Sequence, residues 1–265
     1  MHAQKPNGAP KTIPTELLLM AYRSGIFPMA DSRDDAEIYW VEPRERAVIP
    51  LDGFRVSRSL AKAIRQDRFR ITCNADFDAV IAACAAPRPG HPESWISDRI
   101  AASYRALHAA GHAHSLECWR DGELVGGLYG VGFTRAFCGE SMFSHERDAS
   151  KVALAWLVAL LRHAGYRLLD CQFMTEHLSS LGAVPVSREQ YLEQLAEAVA
   201  AGPAPSLPEA YVSLLGAAGV SGVGVGEGRG AARGAGAGDS SAPSSAAAGA
   251  SSPGKLILQS LTQTS

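Results

Sequence analysis

The sequence predicts a mixed α+β fold in which helices precede and follow an antiparallel sheet. Three observations carry this prediction. Residues 112–143 alternate apolar and polar positions as strands do, and Asp121-Gly122 marks a tight turn between two of these runs. A long apolar helical stretch, ASKVALAWLVALLRHAG, comes next. The strand-like run YRLLDCQ follows it, so a crossover helix joins two strands and predicts their parallel pairing.

The other elements follow from caps and periodicity. The stretch PTELLLMAYRSG predicts a helix with Thr15 as cap and Gly25 as stop. Short extended pieces at IYWV and RAVIP precede a helix opened by Ser57, and FRITCN is typical of a strand. Helices over FDAVIAACA and SDRIAASYRALHAAG come before the sheet. A last helix begins at Ser187, which forms a capping box with Gln190.

Composition bounds the class of protein. The 265 residues are 46% hydrophobic, which excludes a wholly disordered or fibrous chain. The formal net charge of −2 excludes a globally basic scaffold, so a nucleic acid would have to meet a local basic patch. Within 216–254, 30 of 39 residues are Gly, Ala or Ser, so the sequence predicts a low-complexity, disordered tail over 206–265.

Neither a membrane segment nor a metal site is expected. No apolar run approaches the roughly 18 to 20 residues that span a bilayer, and the start lacks the apolar stretch of a signal peptide, so we expect a cytoplasmic protein. The five cysteines contain no C-x-x-C pair, which argues against a disulfide framework and a thiolate zinc site. The cluster His108, His112 and His114 lacks a nearby acid and is a weak zinc candidate.

One helix face is basic. Residues 44–70 contain eight Lys or Arg, Arg46 among them, against three acids. Arg58, Lys62 and Arg65 are spaced by four and three residues, so they project from one face and could follow a phosphate backbone. A solvated amphipathic face explains the same spacing, and both readings stay open.

The end of the last strand carries a polar pair. Alternation in LLDCQ puts Asp170 and Gln172 on one face and Cys171 on the other. A carboxylate and an amide there can hold an amine and accept its proton, or they can satisfy nearby loop amides. Burial and the neighbouring acid argue against Cys171 as a nucleophile.

A second carboxylate lies in an apolar strand. Glu140 needs a cation there, either an arginine of the protein or a basic group of a substrate. Strict alternation puts Phe137 and Glu140 on opposite faces unless Gly139 forms a bulge. Trp95, which ends a Pro-rich loop, either stacks on a base or serves as a lid.

These residues lie in strings that resemble a known family. The strings are AYRSGIFPM, SWISDRI, GHAHSLECWRDGELVGGLYGV, FCGESMFS, ASKVAL, LLDCQF and HLSSLGA. In this order, over roughly residues 15–200, they resemble the bacterial leucyl/phenylalanyl-tRNA–protein transferases. The Gly/Ala/Ser tail has no counterpart in the resemblance.

The resemblance implies a fold and an activity. It implies a small N-terminal α/β domain, placed at 1–53, and a GNAT-like acyltransferase domain, placed at 54–205. The family moves Leu or Phe, and less well Met, from aminoacyl-tRNA to the N-terminal Arg or Lys of a protein and so marks that protein for degradation. No cofactor, metal or membrane is implied.

The resemblance also implies roles for single residues. Asp170 and Gln172 match the motif that positions or deprotonates the acceptor amine, and Glu140 matches a cleft carboxylate. Met29 stands where many members have Trp, so Tyr39 or Trp40 is expected to supply that surface. The other matches are Trp95 at the aminoacyl-adenosine end, Phe137 and Leu128 in the aminoacyl pocket, and Arg58, Lys62 and Arg65 on the tRNA-contacting helix.

Two rival functions stay open from the residues alone. A CoA-dependent acetyltransferase would need a glycine-rich pyrophosphate loop before the long helix, where SHERDAS offers none. A non-catalytic RNA-binding protein would tolerate loss of Asp170.

Overall fold

The computed structural model describes residues 11–35, 37–87, 93–217 and 252–262. The helices are α1 (Thr15–Arg23), α2 (Arg58–Arg65), α3 (Phe77–Ala85), α4 (Asp98–Ala109), α5 (Ala149–His163), α6 (Glu176–Ser180), α7 (Arg188–Ala200), α8 (Leu207–Ala217) and α9 (Pro253–Thr262). The strands are β1 (Phe27–Met29), β2 (Tyr39–Val41), β3 (Glu45–Val48), β4 (Arg70–Cys73), β5 (Ala113–Arg120), β6 (Glu123–Phe133), β7 (Ala136–Ser144), β8 (Leu168–Asp170) and β9 (Val184–Ser187). The α+β class is confirmed.

The main sheet is mixed. Its seven strands run in the order β4-β5-β6-β7-β8-β3-β9, and β1 and β2 form a separate hairpin. Pairing is antiparallel throughout the main sheet except between β7 and β8. The long helix α5 connects these two strands, so the predicted parallel pairing is confirmed.

Local sequence signals explain most element ends. Asp121 and Gly122 have φ values of 51° and 84°, as a two-residue hairpin turn requires. Ser57 caps α2, and Ser187 forms the predicted capping box of α7. The predicted cap of α1 is wrong, because Thr15 is the first helical residue and Pro14 precedes it without a side-chain cap bond.

The sheet separates two apolar layers. One layer packs α5 with α2, α8 and α9, and the other contains residues of α1, α3, α4 and α7. Twelve of the 15 residues of α5 are buried, which is why this helix is apolar on nearly every side. The core therefore lies against both faces of the sheet, and α5 is fixed beside β7 and β8.

The predicted disordered tail needs a correction. Residues 207–217 and 253–262 form α8 and α9, and residues 218–251 lie outside the described ranges. Tyr211 is buried and donates to the carbonyl oxygen of Ile71 at 2.7 Å, and Ile257 is fully buried. Two short apolar stretches, YVSLL and KLILQSL, flank the Gly/Ala/Ser-rich residues 216–254, and their burial offsets the cost of ordering them.

The predicted boundary at residue 53 falls after β3, although β3 pairs with β8 and β9 in the main sheet.

None of the helices in the described ranges has the length and apolar character needed to span a membrane.

Candidate functional site

A cavity of about 590 Å³ opens where two parallel strands diverge. β7 and β8 pair only over Ala136–Cys138 and Leu168–Asp170. Beyond that point the six consecutive residues 139–144 line the cavity on one side, and residues 171–173 line it on the other. The volume lies in the range of small-ligand sites, and the divergence of the strands produces it.

Most of the cavity wall is apolar. The apolar side chains are Met29, Trp95, Leu128, Met142, Phe143, Leu154, Leu157, Leu169, Phe173 and Leu178. Polar groups come from Tyr129, Glu140, Ser141, Ser144, Ser150, Gln172, Thr175 and His177. Among the described residues, no group of three His, Cys, Asp or Glu side chains is placed to hold a metal ion.

Glu140 lines this cavity and lies at a β-bulge. In the pairing of β6 with β7, Tyr129 is opposite Ser141 and Gly130 is opposite Gly139, so Glu140 is the extra residue. Phe137 packs in the layer of α5, whereas Glu140 bonds to Tyr22 and Tyr104 of the other layer, so the two side chains lie on opposite faces, as strict alternation predicts.

Neutral donors hold the carboxylate of Glu140. Its oxygens accept from the hydroxyl groups of Tyr22 at 2.8 Å and Tyr104 at 2.7 Å, and from the Gln172 amide at 2.9 Å. Burial raises the pKa of Glu140 from 4.5 to about 7, although these three bonds oppose the shift. All three of these donors are neutral, so this carboxylate can still receive a cation or a proton.

Gln172 bridges the two predicted acids. Its side-chain amide donates to Glu140, and its backbone N–H donates to Oδ1 of Asp170 at 2.8 Å. Its φ of 63° is left-handed, and β8 has already ended at Asp170. The predicted alternation is therefore wrong here, since Cys171 and Gln172 both line the cavity and Asp170 does not.

Asp170 lies behind the cavity wall, in a buried ion pair. Its Oδ2 is 2.7 Å from Nη2 of Arg46, and the two side chains are 0% and 2% exposed. The Tyr191 hydroxyl donates to the same oxygen at 3.0 Å. The predicted direct contact of Asp170 with an acceptor amine therefore has no support in this geometry, because its oxygens already have internal partners.

Arg46 is a core residue rather than part of a basic surface. Its guanidinium also donates to the carbonyl oxygen of Gly25 at 3.0 Å and lies 4.4 Å from the ring centre of Tyr191. Burial alone would lower the pKa of Arg46, but the carboxylate of Asp170 outweighs it and holds the pKa above its usual value. The positive stretch 44–70 thus loses one surface charge.

The structure brings together some of the other predicted site residues and separates two. Leu128, Trp95 and Met29 line the cavity. Phe137 is fully buried in the core and Trp40 is 38% exposed on β2, and neither belongs to the cavity wall. The three basic residues of α2, Arg58, Lys62 and Arg65, are exposed on that helix.

Cys171 reaches the wall but is poorly suited to attack. Burial, and then the charge of Asp170, raise the pKa of this thiol. It therefore stays protonated at neutral pH, and a thiolate is the reactive form.

Sequence reasoning missed the tyrosines and Arg46. Tyr22 and Tyr104 come from α1 and α4, far from Glu140 in the chain, and their helical spacing indicated only core positions. For Arg46 the one available signal was its place at the start of the apolar extended run RAVIP. A charge in a buried strand requires a partner, and the strand-end Asp170 could supply it.

Comparisons with known proteins agree on one family. The model of the leucyl/phenylalanyl-tRNA protein transferase matches residues 48–196, and the model of its N-terminal domain matches residues 12–44. Proteins named leucyl/phenylalanyl-tRNA–protein transferase from several organisms are similar to this chain. The one from Novosphingobium aromaticivorans is 60% identical over 97% of this chain and 98% of its own.

The protein from Rhizorhabdus wittichii is 60% identical over 70% of this chain and 75% of its own. The one from Zymomonas mobilis is 58% identical over 71% of this chain and 70% of its own. Two family models in consecutive order and this level of identity leave one assignment: the chain belongs to the leucyl/phenylalanyl-tRNA–protein transferase family.

Proposed function

We propose that this chain transfers Leu or Phe, and less well Met, from aminoacyl-tRNA to the N-terminal Arg or Lys of acceptor proteins, which marks them for degradation. Family membership supports the reaction class. The observation that carries the site is the cavity at the divergence of β7 and β8, because it joins an apolar slot to an unneutralised carboxylate.

The main task of the protein in this reaction is to align the amine with the ester carbonyl. An aminoacyl ester is already activated, so an amine held against its carbonyl carbon can displace the tRNA hydroxyl without ATP, metal or covalent intermediate. A free α-amine has a pKa near 7.7 to 8.0, so part of it is neutral at pH 7. The enzyme has to orient this amine, receive its proton, return a proton to the tRNA oxygen that leaves as a hydroxyl, and exclude competing water.

Glu140 and Gln172 are the groups placed for that work. Both line the cavity, and they share a hydrogen bond of 2.9 Å. Glu140 attracts the cationic chain terminus and, with a pKa of about 7, receives its proton near neutral pH. The side-chain oxygen of Gln172 can accept from the amine while its NH₂ group stays on Glu140.

Asp170 acts as a positioning residue. It fixes the backbone N–H of Gln172 in a left-handed conformation and is itself held by Arg46 and Tyr191. The amide of Gln172 is therefore presented by a rigid, buried network, as a preorganised site requires.

The apolar wall accounts for the amino acid preference. Leu128, Leu154 and Leu157 line the cavity. We assign to them the slot for an apolar side chain that has no branch at Cβ. Such a slot favours Leu and Phe over polar side chains, while one methylene is worth only about 1 to 3 kcal/mol. Shape at Cβ must therefore contribute to rejecting Ile and Val.

We further propose that the domain carrying the cavity is GNAT-like and that the protein acts in the cytoplasm. The parallel pair β7–β8, joined by α5 and diverging at the cavity, supports a GNAT-like arrangement. We place the division between the two domains just before β3, since β3 pairs in the main sheet and the two family models meet between residues 44 and 48.

One assay tests the reaction. The protein is incubated with labelled Leu-tRNA and a peptide that begins with Arg, in the absence of CoA and ATP. The transferase predicts label on the peptide, whereas the same peptide with a blocked N-terminus stays unlabelled. No label with Leu-tRNA, or label only when CoA is added, would remove the proposal.

A further inference from the structure

The C-terminal helix α9 is docked against the basic helix α2. Ile257 and Leu261 of α9 lie in the same core cluster as Leu60 and Ile64 of α2. The backbone N–H of Gly254 donates to Oδ1 of Asp67 at 2.7 Å, just beyond the end of α2. These contacts fix α9 beside α2 although Asp67 and Gly254 are 187 residues apart in the chain.

Gly254 sets how closely the helices approach. A Cβ at this position would collide with the carbonyl oxygen of Ile64 and would lie 2.7 Å from Oδ1 of Asp67. Only glycine permits this contact without a shift of one helix. A single methyl group therefore serves as a probe of docking.

A groove of about 360 Å³ lies between the two helices, and its walls carry positive charge. Arg65 of α2 and Lys255 of α9 both line it and are exposed. Its lining residues include no acid, and Gln259 and Thr262 add polar groups. The carboxylate of Asp67, just beyond the end of α2, already accepts a hydrogen bond from the N–H of Gly254.

We propose that this groove binds the phosphate backbone of the tRNA and that Lys255 extends the basic face of Arg58, Lys62 and Arg65 onto the C-terminal helix. The proposal rests on the transferase function above and assigns part of the tRNA-binding surface to α9. A phosphate chain fits because the cations follow one another along two adjacent helices, whereas an acidic protein surface would need no continuous track.

The test measures binding of Leu-tRNA as a function of salt. Lys255→Ala is expected to weaken binding about 3- to 10-fold at low salt and to reduce the slope of log affinity against log salt by about 1. Arg167→Ala, which removes an exposed arginine of a separate groove between β3 and β8, is expected to leave both quantities unchanged.

Docking is tested with paired glycine variants. Gly254→Ala should reproduce the loss of tRNA affinity because it displaces α9, while Gly216→Ala, whose Cβ meets nothing within 4 Å, should not. Transfer from leucyl-adenosine, which carries no phosphate, should be unchanged in Lys255→Ala. Leucyl-adenosine therefore separates the binding of tRNA phosphates at the groove from the transfer reaction in the cavity.

Two results would overturn the assignment of the groove. If Lys255→Ala binds Leu-tRNA with the affinity and the salt slope of the wild type, no phosphate contacts Lys255. If Arg167→Ala loses as much affinity as Lys255→Ala, the loss reflects only the general charge of the protein. Failure of the wild-type protein to transfer Leu, with Leu-tRNA binding and its dependence on Lys255 intact, would remove the proposed reaction and leave the groove standing.

Discussion

Glu140 is the residue whose ionisation should be visible in the reaction. Transfer by the wild-type protein is expected to rise with pH in two steps, through about 7 as Glu140 ionises and through about 7.7 to 8.0 as the acceptor amine loses its proton. Glu140→Gln keeps the shape and removes the lower step, with a loss on the order of 100-fold at pH 7. The measurement is kcat/KM against pH with an Arg-initiated peptide.

The folded state gives an independent reading of the same group. The pKa of Glu140 is raised from 4.5 to about 7 in the folded protein. Its favourable contribution to the free energy of unfolding is therefore fully present below pH 4.5 and is lost as pH rises through 7. Between these values the wild-type free energy of unfolding should fall by up to about 3 kcal/mol relative to Glu140→Gln. Identical pH profiles of activity and stability in the two proteins would contradict the role given to Glu140.

The pair Arg46–Asp170 should matter more for stability than any surface pair. Asp170→Asn and Arg46→Gln each leave one buried partner uncompensated, and each should lower the free energy of unfolding by about 3 to 5 kcal/mol. The double variant should lose less than the sum. Urea denaturation measures all three.

The matched control is Arg105–Asp78, whose side chains are 44% and 74% exposed. Asp78→Asn should cost less than about 1 kcal/mol. If Asp170→Asn is no more costly than Asp78→Asn, the buried pair does not hold this wall of the site.

Single residues also show where sequence reasoning stops. That Glu140, Gln172, Leu128 and Trp95 share one cavity could be anticipated, because a carboxylate in an apolar strand and the family motifs are both local signals. The partner of Asp170 could not, since Arg46 is more than 120 residues away and its charge suggested a surface role. Burial decides which charges are available, and burial is a property of the fold.

Among the elements, the bulge between β6 and β7 depends on Gly130. A Cβ there would collide with the carbonyl oxygen of Cys138 and lie 2.5 Å from Cε1 of Phe137. Gly130→Ala should therefore destabilise the protein by about 1 to 3 kcal/mol and impair transfer by displacing Glu140. Urea denaturation and the transfer assay measure the two effects.

Gly216→Ala is the control for this prediction, because its Cβ meets nothing within 4 Å and alanine favours a helix. A Gly130→Ala protein with unchanged stability and full transfer would mean that the bulge tolerates the methyl group and does not position Glu140.

Elements with strong local signals were predicted and weak ones were not. The Asp121-Gly122 hairpin, the Ser187 capping box and α5 carry their own signals in sequence. β1 and β9 are three and four residues long and form because neighbours pair with them. The docked helix α9 was missed because the prediction of disorder over 216–254 was extended to the short segment that follows, whose burial against α2 no local pattern shows.

At the scale of the whole molecule, the sheet explains how distant segments form one site. α1 and α4 supply Tyr22 and Tyr104, β7 supplies Glu140, and the end of β8 supplies Gln172. The sequence predicted the parallel pairing across the crossover helix, but not that β3 would pair between β8 and β9 and bring Arg46 behind the cavity. That pairing joins residues far apart in the chain, and no local pattern specifies it.

The central claim is that the aminoacyl group occupies the cavity where β7 and β8 diverge. Leu128→Trp fills this cavity, and Val212→Trp adds the same side chain at an exposed position of α8. Single-turnover transfer from Leu-tRNA to an Arg-initiated peptide, measured beside Leu-tRNA binding, tests the claim most directly. The account predicts that Leu128→Trp folds, retains most of the affinity for tRNA that the basic surface provides, and loses transfer, while Val212→Trp keeps both. Full transfer by a folded Leu128→Trp protein would contradict it.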